Sequence, residues 1–130
     1  MPDTPTVPEW QRGVLASCAL GVLERGSAHG YAVAQQLQTA GIGPVKGGAL
    51  YPVLNRLEQE GALTSTWQEG QGGPGRKVFT LTPAGRARLD ELRQQWRPFA
   101  TAVGTVLGAA PDATPATTPA TTGEPTRRTT

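Results

Sequence analysis

The nine residues EGQGGPGRK, Glu69 to Lys77, constrain the fold more than any other stretch, because the hydrophobic period is two on either side of them and near 3.6 elsewhere. Before them, ALTSTWQE alternates Leu63, Ser65 and Trp67. After them, KVFTLT is rich in Val, Phe and Thr, with Phe79 and Leu81 two apart. Two β-prone runs joined by a glycine-rich tip predict a β-hairpin. Three helices are predicted ahead of it. The first, Glu9 to Glu24, places Trp10, Val14, Cys18 and Val22 on one stripe with Leu15 and Leu23 beside it, and Gly26 ends it. The second lies within SAHGYAVAQQLQTAG, with Ser27 as its cap and Val33, Ala34, Leu37 and Ala40 facing inward. The third, Gly48 to Glu60, carries Leu50, Val53, Leu54 and Leu57 at i, i+3, i+4 and i+7, and Gly61 is its natural stop. Thr82-Pro83 then restarts a helix, a capping residue followed by proline at the first helical position.

The tip also spells Gly70-x-Gly72-x-x-Gly75, the pattern of a dinucleotide cradle. That cradle needs a buried strand ahead of the glycines and a helix directly behind them, because the pyrophosphate sits on the helix N-terminus. Here the preceding run holds Thr64, Ser65, Thr66, Gln68 and Glu69, too polar for a central parallel strand, and the following run is β-rich. Asp90, at the spacing expected of a ribose ligand, falls inside a helix where a second strand is required. The match is accidental. What remains is a tight hairpin tip with Arg76 and Lys77 at its exit. Three helices and then a hairpin is the order of a winged helix-turn-helix, in which the hairpin is the wing. The fold class is therefore mainly α with a small β-hairpin.

In such a module the third helix lies in the major groove and the wing reaches backbone or minor groove. Opposite its apolar quartet the third helix carries Gly48, Pro52, Asn55, Arg56 and Gln59, with Tyr51 on a flank. Gly47, Gly48 and Ala49 are small enough to let backbone approach DNA, and free amides at a helix start suit phosphate. Lys46 stands at the entrance. An ordinary solvated face is the alternative for Asn55, Arg56 and Gln59. The net charge of +2 does not call for nucleic acid by itself, but six basic and three acidic residues fall between Lys46 and Arg88. The excess gathers where wing and recognition helix are expected, which favours contact with double-stranded DNA.

The last helix carries Leu89, Leu92, Trp96, Phe99, Val103 and Val106 at spacings of 3, 4, 3, 4 and 3, a heptad seam suited to dimerisation. Trp10 and Val14 of the first helix are assigned to the same dimer interface. Pro98 sits inside the seam, removes the bond to the Gln94 carbonyl and is expected to kink the helix near Trp96. Trp96 has two readings, a dimer-core aromatic or a flat plate against which a planar ligand stacks. The expected divisions are a flexible N-terminus over 1–8, the winged helix over 9–82, the dimerisation helix over 83–109 and a disordered Thr/Pro/Ala tail over 110–130. Arg127 and Arg128 are either solvated or in nonspecific contact with phosphates.

Other chemistry is sparse. Cys18 is the only cysteine, so no disulfide forms within the chain, and a reducing, cytoplasmic setting is expected. It is read as a buried structural thiol. With one histidine and no Cys/His cluster, neither a metal nor a cofactor is expected. His29 has no recognisable nucleophile or orienting carboxylate near it in sequence, so an enzyme is not expected. The longest apolar stretch, Val14 to Leu23, is too short to span a bilayer, and MPDTPTVPEW does not resemble a signal peptide. A small enzyme using the Gly-rich loop and a winged helix serving as a protein–protein module stand as alternative classes.

HGYAVAQQL, ALYPVLNRLEQEGAL and GGPGRKVFTLTPAGRARL together resemble the PadR-type transcriptional regulators, over roughly residues 12–107. The resemblance implies a homodimeric winged-helix regulator, usually a repressor, that binds an inverted-repeat operator and is released in parts of the family by phenolic acids or hydrophobic drugs. Carried over by position, Tyr51 is the recognition-helix tyrosine, His29 and Tyr31 lie near phosphates at the start of the second helix, and Arg76 and Lys77 are the wing cations. Trp96 lies where multidrug-responsive relatives place a tryptophan. The chain departs from the family at Lys46 and Ala49, where relatives often carry phosphate-binding hydroxyls.

Overall fold

The computed structural model describes residues 8–109 apart from Gln71. The expected Thr/Pro/Ala tail, with Arg127 and Arg128, lies outside the described residues, and of the N-terminus expected to be flexible over 1–8 only Pro8 is described, as the first residue of a helix. In chain order the elements are α1 (Pro8–Glu24), β1 (Ala28–His29), α2 (Gly30–Thr39), α3 (Gly47–Gln59), β2 (Leu63–Gln68), β3 (Arg76–Leu81) and α4 (Pro83–Leu107). The chain divides into two units, one ending at Glu91 and one beginning at Leu92.

In the first unit the three helices close around an apolar centre that also takes one side of the sheet. Leu15, Leu20, Leu37, Leu50, Leu54, Leu57 and Phe79 are all but sealed from solvent. Each such side chain contributes about 1.5–3 kcal/mol by leaving water. Among the described residues no polar or charged residue is buried with them. On α1 the sealed stripe is Leu15, Ala19, Leu20 and Leu23, and not the expected Trp10–Val14–Cys18–Val22. Both stripes repeat every four residues, so periodicity alone does not choose between them; the leucines are the ones that meet α2, α3 and β3. Trp10 is exposed, and Val14, Cys18 and Val22 are half-buried. Likewise Ala40, expected inward, is exposed at the end of α2.

The hairpin is present, with Leu63 opposite Leu81 and Gln68 opposite Arg76. It gains a third strand, because Ala28 and His29 pair antiparallel with Phe79 and Val78, giving the order β1-β3-β2. Two residues carry no period, so β1 was not expected. Its formation moves the start of α2 to Gly30. His29 is the cap, its Nδ1 accepting from the Ala32 amide at 3.3 Å, while the expected cap Ser27 shares a hydrogen bond of 2.6 Å with the Thr80 hydroxyl.

Two junctions fix the frame. At the end of α3, Gly61 takes φ +84, the Gly61 amide donates to the Glu58 carbonyl and Ala62 to the Leu57 carbonyl. The left-handed turn that glycine permits ends the helix and delivers Leu63 to the sheet. At the start of α4, the Thr82 hydroxyl accepts from the Gly85 amide at 2.9 Å, as expected of a capping threonine. The same hydroxyl donates to the Gly61 carbonyl at 2.6 Å, and the Thr82 amide donates to the Ala62 carbonyl. Gly85 is required here, since a Cβ on it would lie 2.1 Å from the Ala62 oxygen.

The second unit holds the rest of α4, which is assigned as one helix through Pro98. Trp96 and Phe99 stand on it with ring centroids 6.3 Å apart, and both are exposed. Gly108 closes it with φ +74, and the Ala109 amide donates to the Gly104 carbonyl.

Candidate nucleic-acid interface

His29, Tyr31, Tyr51 and Arg76 are brought to one concavity of about 340 Å³, which is also lined by Lys77 and Trp67. Three elements converge there: the start of α2, the first turn of α3 and the end of the hairpin. Tyr51 is positioned by two glycines. A Cβ on Gly30 would meet its Cζ at 2.4 Å and its hydroxyl at 2.6 Å, and a Cβ on Gly47 would touch its ring at 3.5 Å. The tyrosine therefore lies against the backbone of both glycines, and 41 % of it remains open to solvent. The His29 and Tyr31 rings are nearly parallel, with an interplanar angle of 7° and centroids 6.3 Å apart. The Tyr31 hydroxyl accepts from Gln35 Nε2 at 3.1 Å.

Arg76 Nη1 donates to His29 Nε2 at 2.8 Å. A neutral imidazole has one acceptor nitrogen, so it serves either Arg76 or the Ala32 amide at any one time. Arg76 is exposed, and its guanidinium has a planar fork of donors suited to phosphate oxygens.

Lys77 is placed differently from its neighbour. It shares strand parity with Phe79 and Leu81, so it faces α3. Its Nζ lies 3.0 Å from Glu58 Oε1 and donates to Asn55 Oδ1 at 3.3 Å. It also stands 5.4 Å from the centre of the Phe79 ring. The contact to Asn55 engages the amide oxygen and leaves its NH₂ group to donate elsewhere. Arg56 pairs with Glu60 at 3.8 Å, and Arg88 reaches the same carboxylate at 2.7 Å. Lys46 takes extended backbone at the start of α3, offers no side-chain cap, and is exposed beside Gly48, while Ala49 is half-buried.

Four residues that the expected site omitted hold it together. Gly30 and Gly75 are the floors under Tyr51 and Trp67: a Cβ on Gly75 would lie 2.3 Å from the Trp67 Nε1. Trp67 itself is 64 % exposed opposite Lys77. Glu58 is the fourth. The available signals were the glycines inside His-Gly-Tyr and Pro-Gly-Arg, and the shared parity of Lys77 with Phe79.

The seam residues fall into two groups. Leu89 is sealed in the first unit's own core and Leu92 is half-buried, so Leu89 has no surface to give a partner. Trp96, Phe99, Val103 and Val106 are exposed, as is Trp10, with Val14 half-buried. Cys18 is half-buried and not sealed, and burial pushes its thiol above the usual range, away from the reactive thiolate. Among the described residues no group of three or more His, Cys, Asp and Glu side chains is placed to hold a metal, and no helix is long and apolar enough to cross a membrane.

Three helices with a capped turn into a small sheet, and a basic hairpin beside an exposed third helix, define a winged-helix protein. Residues 19–91 match the Transcriptional regulator PadR-like family. Over 95 residues the chain is 38% identical to a transcriptional regulator of Mycobacterium tuberculosis, covering 73% of this chain and 87% of that one. The chain is also similar to the crystal structure of a PadR family transcriptional regulator from Eggerthella lenta. That match has a TM-score of 0.69 and 38% identity, over 78% of this chain and 88% of that one. A PadR-like transcriptional regulator from Bacillus cereus superposes with a TM-score of 0.66 at 30% identity, over 76% of this chain and 96% of that one. A transcriptional regulator from Thermoplasma acidophilum, at 20% identity and a TM-score of 0.70 over 78% and 98% of the two chains, shares the fold. The chain belongs to the PadR-like family of transcriptional regulators.

Proposed function

We propose that this protein is a non-enzymatic repressor that binds an inverted-repeat operator as a homodimer and is released by a small hydrophobic or aromatic effector. The winged helix, residues 9–82, reads DNA, and the helix over 83–109 carries the dimer seam. α3 enters the major groove with Tyr51, Asn55 and Arg56 toward bases and phosphates. His29, Tyr31, Lys46, Arg76 and the small residues Gly48 and Ala49 approach the backbone. Leu92, Trp96, Phe99, Val103 and Val106 supply the subunit interface, with Trp10 and Val14 contributing from α1. Trp96 is the residue against which an effector stacks.

One observation carries this reading: Arg76, Tyr51, Tyr31 and His29, far apart in sequence, line one concavity beside the exposed first turn of α3. Phosphate contacts fix register and base contacts fix sequence, and both kinds of donor stand at that place. Nuclease footprinting on the protein's own promoter tests it. Two protected half-sites about one helical turn apart are expected of a two-fold dimer. A single unpaired footprint would overturn the dimeric reading, and no footprint at any concentration would overturn DNA recognition.

A further inference from the structure

The two adjacent wing cations, Arg76 and Lys77, have different partners in the fold. Arg76 is exposed and meets the His29 ring, whereas Lys77 is drawn onto α3 by a carboxylate whose two oxygens are both engaged. Glu58 Oε1 lies 3.0 Å from Lys77 Nζ, and Glu58 Oε2 accepts from the Ser65 hydroxyl at 2.5 Å. The ammonium also donates to Asn55 and lies against the Phe79 ring, so its donors converge on groups of the protein itself. The Ser65 hydroxyl, and then Lys77, hold the Glu58 carboxyl below the ordinary range, as expected of an anion kept charged by its neighbours.

We propose that Glu58 is an internal phosphate mimic: it occupies Lys77, so that the wing presents DNA with one phosphate-binding cation, and in doing so it lowers the affinity for DNA of every sequence. Phosphate neutralisation strengthens binding to every sequence alike, while base contacts discriminate. An anion that withdraws one lysine from the backbone therefore lowers affinity for every sequence alike and leaves discrimination to the contacts of α3. Glu58 is thus a positioning residue. It acts through Lys77, and through Lys77 on the Asn55 amide.

This inference rests on the DNA-binding reading, and the experiment separates the two. Fluorescence anisotropy would follow binding of the full chain to a duplex of arbitrary sequence and to promoter DNA across a salt series. The proteins are wild type, Arg76→Ala, Lys77→Met and Glu58→Gln, with thermal melts alongside. Arg76→Ala is expected to make the salt slope shallower by about 0.9, the value for one phosphate. Lys77→Met is expected to leave the slope unchanged. Glu58→Gln is expected to steepen it by about 0.9 and to tighten binding to both duplexes about threefold at low salt, leaving their ratio unchanged. A misfolded variant cannot produce that gain. A Lys77→Met loss equal to that of Arg76→Ala, or an unaltered slope in Glu58→Gln, would overturn the division of labour alone. An unchanged slope in Arg76→Ala would overturn the phosphate role of the wing beneath it.

Discussion

Tyr51 lies on Gly30, so close that a Cβ on the glycine would come within 2.4 Å of the ring. This links the first residue of α2 to the first turn of α3 and fixes where the phenol hydroxyl stands. Gly30→Ala is expected to displace Tyr51 and weaken DNA binding about tenfold, within the range of coupled neighbours. In a Tyr51→Ala background the same substitution is expected to be silent for binding, and to stabilise α2 by up to about 1 kcal/mol. A double-mutant cycle in anisotropy and thermal unfolding checks both. Additive losses would show that Gly30 acts on something other than Tyr51.

The junction into α4 is closed by the Ala62 backbone, with the Leu81 side chain beside it. Gly85→Ala would drive a Cβ to 2.1 Å from the Ala62 oxygen. A loss of about 1–3 kcal/mol is expected for such overpacking, a drop in Tm of about 5–15 °C. Thr82→Val, which removes the hydroxyl that caps α4 and bonds Gly61, is expected to cost about 1 kcal/mol. Circular dichroism melts measure both, and an unchanged Tm for Gly85→Ala would contradict the close approach.

Trp67 reports on the concavity. It is 64 % exposed and stands over Gly75 beside Arg76. In a Trp10→Phe/Trp96→Phe protein the remaining emission is its own, and promoter DNA is expected to quench or shift it. Emission that ignores saturating DNA would place the duplex elsewhere.

Acid sensitivity follows from two carboxylates. Glu58 is held below the ordinary range first by the Ser65 hydroxyl and then by Lys77, and Glu60 by its hydrogen bond from Arg88. A carboxyl whose pKa is lower in the folded state contributes stability above its unfolded pKa, near 4.3, and loses it as pH falls through the folded value. Tm is therefore expected to fall between about pH 5 and pH 3. Glu58→Gln is expected to flatten part of that fall, which a pH series of melts reads directly.

Much of this was legible in the sequence, and what was not has physical causes. The change of period at Leu63, the stop at Gly61 and the cap at Thr82 are local signals, and each reappears in the fold. The two-residue strand at Ala28 and His29 was hidden because it exists only through its pairing with β3. The choice between the Leu15 and Trp10 stripes of α1 was hidden because both repeat every four residues and only the packing partners decide. At the site, His29, Tyr31, Tyr51 and Arg76 line one concavity, but the glycines beneath Tyr51 and Trp67 were invisible as supports because a missing side chain carries no pattern. Lys77 shows the opposite case. Its parity with Phe79 turns it inward, whereas the adjacent Arg76 faces the other way.

The central claim is that this fold reads sequence in double-stranded DNA. Anisotropy titration at one fixed salt concentration, comparing a duplex from the protein's own promoter with the same duplex shuffled, tests it most directly. Binding to the promoter duplex about a thousandfold or more tighter is the result this account predicts. Equal affinity for both duplexes would contradict it.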